Sequence, residues 1–293
     1  VSAAARKLRL HGRRASSARI HSARIHSVRI HSAAGNLFAV FDGREMPVDE
    51  RTCDLARALC AAPGGTSTTG ALKLDGLIVV QPGHDRERCT MRIWNADGSV
   101  PETCGNGLRC AAKLAREEGL VAHDRFVIDD GAGAHDCVVE RVDGLVVGAS
   151  ISMGRPRVLA LHSLLALDHA LVSATLVDVG NPHCVLQVAS VANAPVATLG
   201  PRLERHPAFS RGANIEFLAL RGPHEADLRV WERGCGETQA CGSGTVAAAV
   251  AAMALGRAQL PMALRLPGGT LHVARRPDGE VLLTGPVLEL RRG

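Results

Sequence analysis

The 293-residue chain has no tyrosine, five phenylalanines and two tryptophans, so aromatic side chains make up only 2% of it. That scarcity argues against sites built on stacked rings, such as aromatic cages for quaternary ammonium groups or platforms for unpaired bases. No apolar run approaches the ~20 residues a membrane-spanning helix needs. None of the nine cysteines forms a Cys-x-x-Cys pair, and His183 and Cys184 are adjacent rather than at ligand spacing; no metal is expected. An odd number of cysteines, scattered over a long chain without a secretory apolar segment, reads as reduced cytoplasmic thiols rather than a disulfide framework.

The formal charge of +5 is unevenly placed. Eight cations precede the first acid, Asp42, and without them the remaining chain stands at −3. The folded body therefore offers no basic footprint for nucleic acid. The cationic start contains three copies of a pentapeptide, Ala18–Ser22, Ala23–Ser27 and Val28–Ser32. A period of five suits neither helix nor strand burial. Residues 1–27 are read as a disordered basic leader or tail; an organelle-targeting segment is the functional alternative.

What is present is mostly short β-prone runs: Leu37–Phe41, Leu77–Val80, Met91–Trp94, Arg125–Ile128, Cys137–Val142 and Leu145–Ala149, then Leu176–Val179, Cys184–Val188, Asn214–Leu220 and Asp227–Trp231. Three helices are expected, at Arg51–Ala62 behind a capping Asp49, from Gly105 to a stop at Gly119, and at Gly242–Leu255. The last is apolar on every face yet too short for a bilayer, so a sheet must curl around it.

The halves share a phrase. Met91-Arg-Ile-Trp94 leads, ten residues after its Trp, to Cys104-Gly-Asn-Gly107; Leu228-Arg-Val-Trp231 leads, ten residues after its Trp, to Cys241-Gly-Ser-Gly244. Each half also carries an earlier Gly-Asn, Gly35-Asn36 and Gly180-Asn181. The expected fold is α/β (α+β): two pseudo-symmetric lobes, 28–148 and 149–283, each a curled mixed sheet around a central helix, with 284–293 available to return to the first lobe. An approximate two-fold axis would bring two helix N-termini and two cysteines together across a cleft.

A thiol at a helix N-terminus lies beside unpaired N–H groups, which is expected to bring its pKa below the usual ~8.5. Two thiols facing one carbon from opposite sides make an acid–base pair able to invert a stereocentre. The amides of Gly105, Asn106, Gly242 and Ser243 would hold the carboxylate and stabilise the charge that develops, so no pyridoxal or other cofactor is required. Cys53, Cys60, Cys89, Cys110, Cys137, Cys184 and Cys235 are read instead as small buried hydrophobes.

With Asn95-Ala-Asp-Gly-Ser99, Cys104-Gly-Asn-Gly107-x-Arg109-Cys110, Gly180-Asn-Pro-His-Cys184, Ala213-Asn-Ile215 and Glu232-Arg-Gly-x-Gly-Glu-Thr-x-Ala-Cys-Gly-Ser-Gly244, the sequence resembles the diaminopimelate epimerases from about residue 30 onward. The resemblance implies a homodimer that interconverts LL- and meso-diaminopimelate for lysine and cell-wall synthesis, with Cys104 and Cys241 exchanging protons. It implies that His183 and Glu232 bind substrate or tune the thiols, and that Asn36, Asn95, Asn181, Asn214 and Arg233 hold a small diamino-dicarboxylate substrate. Two positions depart from the family: Leu37 stands where an acid is usual, leaving the entrance without one, and Gly76 where some relatives carry Gln. The competing readings are a two-cysteine racemase of proline, hydroxyproline or histidine, a phenazine-type isomerase of the same fold, and a non-catalytic ligand-binding protein. A substrate lacking a second carboxylate would leave Arg233 unpaired, which counts against the first.

Overall fold

The computed structural model describes residues 28–61, 72–101, 103–168 and 170–292. The leader reading and the first two pentapeptide copies lie outside them. The third copy is a strand: β1 (Arg29–Ala33) has Ile30 and His31 fully buried, because alternate residues face the core on one side and a neighbouring layer on the other.

The strands pair in the same order twice. In the first half β1 pairs antiparallel with β2 (Asn36–Asp42), which runs parallel to β3 (Gly76–Pro82). β3 pairs antiparallel with β4 (Arg88–Asn95), which is parallel to β5 (Arg125–Asp129). β6 (Ala134–Val142) and β7 (Leu145–Ser152) complete the meander.

After the long hairpin of β8 (Arg157–Leu167) and β9 (Ala170–Asp178), the second half repeats it. β9 is antiparallel to β10 (Pro182–Gln187), β10 parallel to β11 (Asn214–Gly222), β11 antiparallel to β12 (Glu225–Glu232), and β12 parallel to β14 (Met262–Leu266). A short β13 (Gly236–Thr238) edges β12, and β15 (Gly269–Arg275) and β16 (Val281–Pro286) finish the meander.

Two pairings join the halves: β16 with β7, and β17 (Leu288–Arg292) with β1. The result is one continuous 17-stranded curled sheet with four helices among the described residues, a mixed α/β fold.

Helix α1 (Thr52–Cys60) covers β3 and β4. Its N-cap is Arg51, without a side-chain cap bond; Asp49, expected as the cap, lies two residues earlier and uses its carboxylate for the Arg51 N–H at 2.9 Å. Helix α2 (Gly105–Glu117) lies inside the first half, and α3 (Val196–Glu204) packs on β11 and β12.

Helix α4 (Gly242–Ala254) touches eight strands, β8 to β12 and β14 to β16 apart from β13. Gly242 through Ala252 are all buried, as an all-round apolar sequence demands, and its alanines let the strands close in. α2 and α4 share one apolar cluster with strands of both halves, so the two helix ends are held against each other by a common core. No helix is long and apolar enough to cross a membrane among the described residues.

Candidate active site

The two repeated motifs end as the same local structure. Cys104 and Cys241 are the N-caps of α2 and α4, with extended backbone (φ −129°, ψ 98° and φ −123°, ψ 118°), and each sulfur accepts a backbone N–H from the third helical residue: Gly107 at 3.3 Å and Gly244 at 3.4 Å. The thiol takes the place that a Ser or Asp oxygen usually takes at a helix start. Ser243 Oγ lies 3.5 Å from the Cys241 sulfur.

The helix ends abut. A methyl group added at Gly242 would lie 3.1 Å from Gly105 Cα, so the absence of a side chain at Gly242 lets the backbones approach this closely. On one flank Asn106 bridges the halves, its Nδ2 donating to Ala240 O at 3.0 Å and to Asn36 Oδ1. Gly35, at φ +85°, packs against Gly268 and Gln239 on the same flank.

The thiol pKa values correct the expectation drawn from helix ends alone. Burial pushes Cys104 up to about 11, with the Gly107 amide pulling it down and the Glu232 carboxylate raising it. Burial likewise drives Cys241 well above the ordinary thiol value, with Glu232 and then Glu216 adding to the rise and Ser243 and the Gly244 amide opposing it. Loss of water outweighs the helix-end amides at both sulfurs. Glu232 acts on both sulfurs at once, which places its carboxylate near the pair. It is itself raised by burial and held down by hydrogen bonds with Thr238 and Cys241.

His183 is buried at the start of β10, where its register partner is Asn214. Its Nδ1 lies 2.7 Å from Glu216 Oε1 and its Nε2 2.8 Å from Asn181 Oδ1. Glu216 is the residue the sequence reading missed. It is fully buried two positions after Asn214 on β11, a strand whose first six residues are all buried, and only the parallel register of β10 and β11 brings it to His183. Burial raises Glu216, and His183 opposes the rise.

Asn214 accepts the Arg233 N–H at 3.0 Å and donates to Pro182 O at 3.3 Å, fixing the turn that carries Arg233 beside Glu232. Arg233 NH1 donates to Arg211 O at 3.1 Å. Across the site Asn95 donates to Ser99 Oγ at 2.9 Å. Asn36 donates to Asp75 Oδ2 at 3.2 Å, and the same oxygen accepts the Leu37 N–H at 2.8 Å. Asp75, just before β3, thus brings a carboxylate to Asn36 and to the backbone of Leu37, the position that departs from the family.

The structure thus gathers Cys104, Cys241, Glu232, His183, Asn181, Asn214, Asn36, Asn106, Gly105, Gly242 and Ser243 into one connected region, with Arg233 adjoining through Asn214. Cys235, expected to be buried, is exposed, because it sits in the β12–β13 turn where its N–H bonds Glu232 O at 3.1 Å. Among the described residues no group of three His, Cys, Asp or Glu side chains is placed to hold a metal ion. A cavity of ≈530 Å³ opens between Thr103, Met153, Arg155 and Gly180, next in sequence to Cys104 and Asn181 but lined by none of the candidate residues.

Comparison with known proteins agrees with this geometry. Residues 28–159 and 175–289 match the family described as diaminopimelate epimerase. A diaminopimelate epimerase of Heliobacterium modesticaldum is 37% identical over 275 residues, covering 88% of this chain and 95% of the relative. One from Pseudomonas fluorescens is 41% identical over 74% of this chain and 82% of its own.

Among solved structures, a hydroxyproline epimerase from Agrobacterium vitis superposes with a TM-score of 0.67 at 16% identity, covering 90% of this chain and 88% of that one. A phenazine biosynthesis protein from Bacillus anthracis gives a TM-score of 0.67 at 14% identity over 91% and 97%. These two carry the fold alone. The sequence relatives carry more: with a match running through both cysteine motifs and nearly to the C-terminus, the chain belongs to the diaminopimelate epimerase family.

Proposed function

We propose that the protein is an isomerase that interconverts LL- and meso-diaminopimelate by proton exchange at one α-carbon, between Cys104 and Cys241 and without a cofactor. The observation that carries the reading is the pair of cysteine-capped helices whose first glycines abut, with each sulfur at its own helix start. In the reaction one sulfur, as thiolate, takes the α-proton while the other, as thiol, gives its proton to the opposite face; this leaves thiol and thiolate exchanged, the form that takes the meso isomer back, and proton exchange with solvent restores the starting form. The N–H groups at the start of α2 and α4 receive the α-carboxylate and stabilise the charge that spreads onto it.

His183 and Glu232 tune Cys241, with Glu216 orienting His183. Asn36, Asn95, Asn181, Asn214 and Arg233 hold the substrate, Arg233 pairing with the remote carboxylate and Asp75 lying near enough to Asn36 to favour a remote ammonium. We further propose two lobes, 28–148 and 149–283, with 284–293 crossing back, and a homodimer in the cytoplasm. Sedimentation velocity tests the dimer.

The activity is tested by incubating LL-diaminopimelate with reduced protein and following the meso isomer by chiral chromatography, with proline, hydroxyproline and histidine as alternative substrates. The proposal requires meso product from the wild type, none from Cys104→Ala or Cys241→Ala, and no inversion of the other amino acids. Inversion of proline in place of diaminopimelate would overturn it.

A further inference from the structure

Arg109 is a buried guanidinium that pairs with no carboxylate among the described residues. It is fully buried, its NH1 donating to Gly105 O at 3.2 Å and its NH2 to Asn106 Oδ1 at 2.6 Å, while Nε has no hydrogen-bond partner. Its flat face lies against Gly285, where an added methyl would come within 3.3 Å of Nε and 3.4 Å of Cζ. The titrating groups that act on it are the thiols of Cys110 and Cys104.

Burying a cation with no anion costs several kcal/mol, and an apolar side chain of similar volume would fill the space without that cost. The internal repeat makes the point sharper. Arg109 follows Cys104 by five residues, and the residue five after Cys241 is Val246, buried and apolar. In the opposite sense, the parallel strand pairs match His183–Asn214 with Phe38–Gly76, so the buried His183 and Glu216 of the second half correspond to Phe38 and Ile78 of the first. One cysteine has a buried cation on its own helix; the other has carboxylates around it.

We propose that Arg109 is the resident counter-cation of the Cys104 end of the site, a positioning residue that stabilises negative charge on the Cys104 sulfur and locks the Asn106 amide that joins the two halves. With Oδ1 of Asn106 taken by the guanidinium, Nδ2 must face Asn36 and Ala240. The charged groups that act on Cys104 are Arg109 from its own helix, which lowers its pKa, and Glu232 from β12, which raises it. The guanidinium is itself brought down by burial to about 10, and so stays charged at neutral pH. The inference rests on the reading of Cys104 as an acid–base group.

The test uses the full chain and needs no substrate. The rate of Cys104 alkylation by iodoacetamide is measured against pH, resolved by peptide mass spectrometry, for wild type, Arg109→Gln, Arg109→Met and Arg109→Lys, with Cys235 as internal control. Removing the charge is expected to move the Cys104 profile up, with roughly twofold to threefold less thiolate at a given pH, Cys235 unmoved and Arg109→Lys restoring most of the shift. Arg109→Gln keeps a hydrogen-bonding end without charge, so it separates the two roles and serves if Arg109→Met fails to fold. A Cys104 profile that coincides with wild type in folded Arg109→Gln, or a Lys variant no better than Gln, overturns the proposal. A wild type that leaves diaminopimelate unchanged would instead overturn the functional reading, and the alkylation result would still stand by itself.

Discussion

The contact between the helix ends makes Gly242→Ala the most informative single change. The new methyl would stand 2.9 Å from Leu283 Cδ2, 3.1 Å from Gly105 Cα and 3.5 Å from Gly105 C. Comfortable carbon contacts lie at about 3.5–4.0 Å, so α2 and α4 must separate by roughly half an ångström or the Leu283 side chain must turn away. Leu283 can turn; the Gly105 backbone cannot. Overpacking of this kind costs about 1–3 kcal/mol, and for a chain of this size each kcal/mol lowers the melting temperature by roughly 2–4 °C.

The catalytic loss should exceed the stability loss. A misplacement of about 1 Å at reacting groups costs on the order of 10²-fold, so half of that predicts a kcat lower by roughly 10-fold. Thermal unfolding and steady-state epimerisation read the two effects separately. Leu283→Ala relieves the side-chain clash but leaves the backbone one, so Gly242→Ala should cost less stability on a Leu283→Ala background than in the wild type, and about as much rate. Gly222→Ala, with open space around it, is the control. A Gly242→Ala protein with wild-type kcat would refute the claim that the helix ends set the spacing of the sulfurs.

Other outcomes follow from the buried titrating groups. Burial raises Cys89 to about 12 and Cys104 to about 11, and lifts Cys137 and Cys241 as well. The fold therefore favours the protonated thiols: this stability is whole below the unfolded value near 9 and is lost as pH climbs toward 11, so the melting temperature should fall between pH 9 and 11, and less so in Cys89→Ala. His31 is lowered by burial from 6.5 to about 4, so its contribution is present above pH 6.5 and is lost as pH drops toward 4; His31→Gln should flatten that limb of a melting-temperature profile. Glu216→Ala leaves His183 Nδ1 without its buried partner and should cost about 1–3 kcal/mol in urea unfolding, with Glu216→Gln losing less. Oxidation should join Cys104 to Cys241 and stop turnover until a reductant is added, which peptide mapping would check; inactive oxidised protein without that link would count against the facing of the thiols.

The cysteine pair, its helices and the twofold repeat were legible in the sequence because each is encoded locally, by Cys-Gly-x-Gly at a fixed distance from a tryptophan strand. The all-apolar α4 announced its own burial in the same way. Partners created by strand register were not legible. Glu216 meets His183, and Asp75 meets Asn36, only once parallel strands bring distant segments level. β8 was missed because its alternation is broken by register shifts and by His162 at φ +51°, leaving Leu159, Leu161 and Leu164 exposed. α3 was hidden by Pro201, which sits within the helix and would ordinarily argue against one. The thiol pKa values were misjudged because a sequence displays the helix start but not the depth at which the fold buries it.

The central claim is that two sulfurs work from opposite faces of one carbon. Early in the reaction of LL-diaminopimelate in D₂O, before back-reaction, the recovered substrate and the new meso product can be separated and weighed by mass spectrometry. Two-sided exchange predicts deuterium at one α-carbon of the meso product and almost none in the recovered LL isomer, since the proton taken from one face is not the one returned to the other. Equal labelling of both isomers would mean that a single group serves both faces, and would contradict the account.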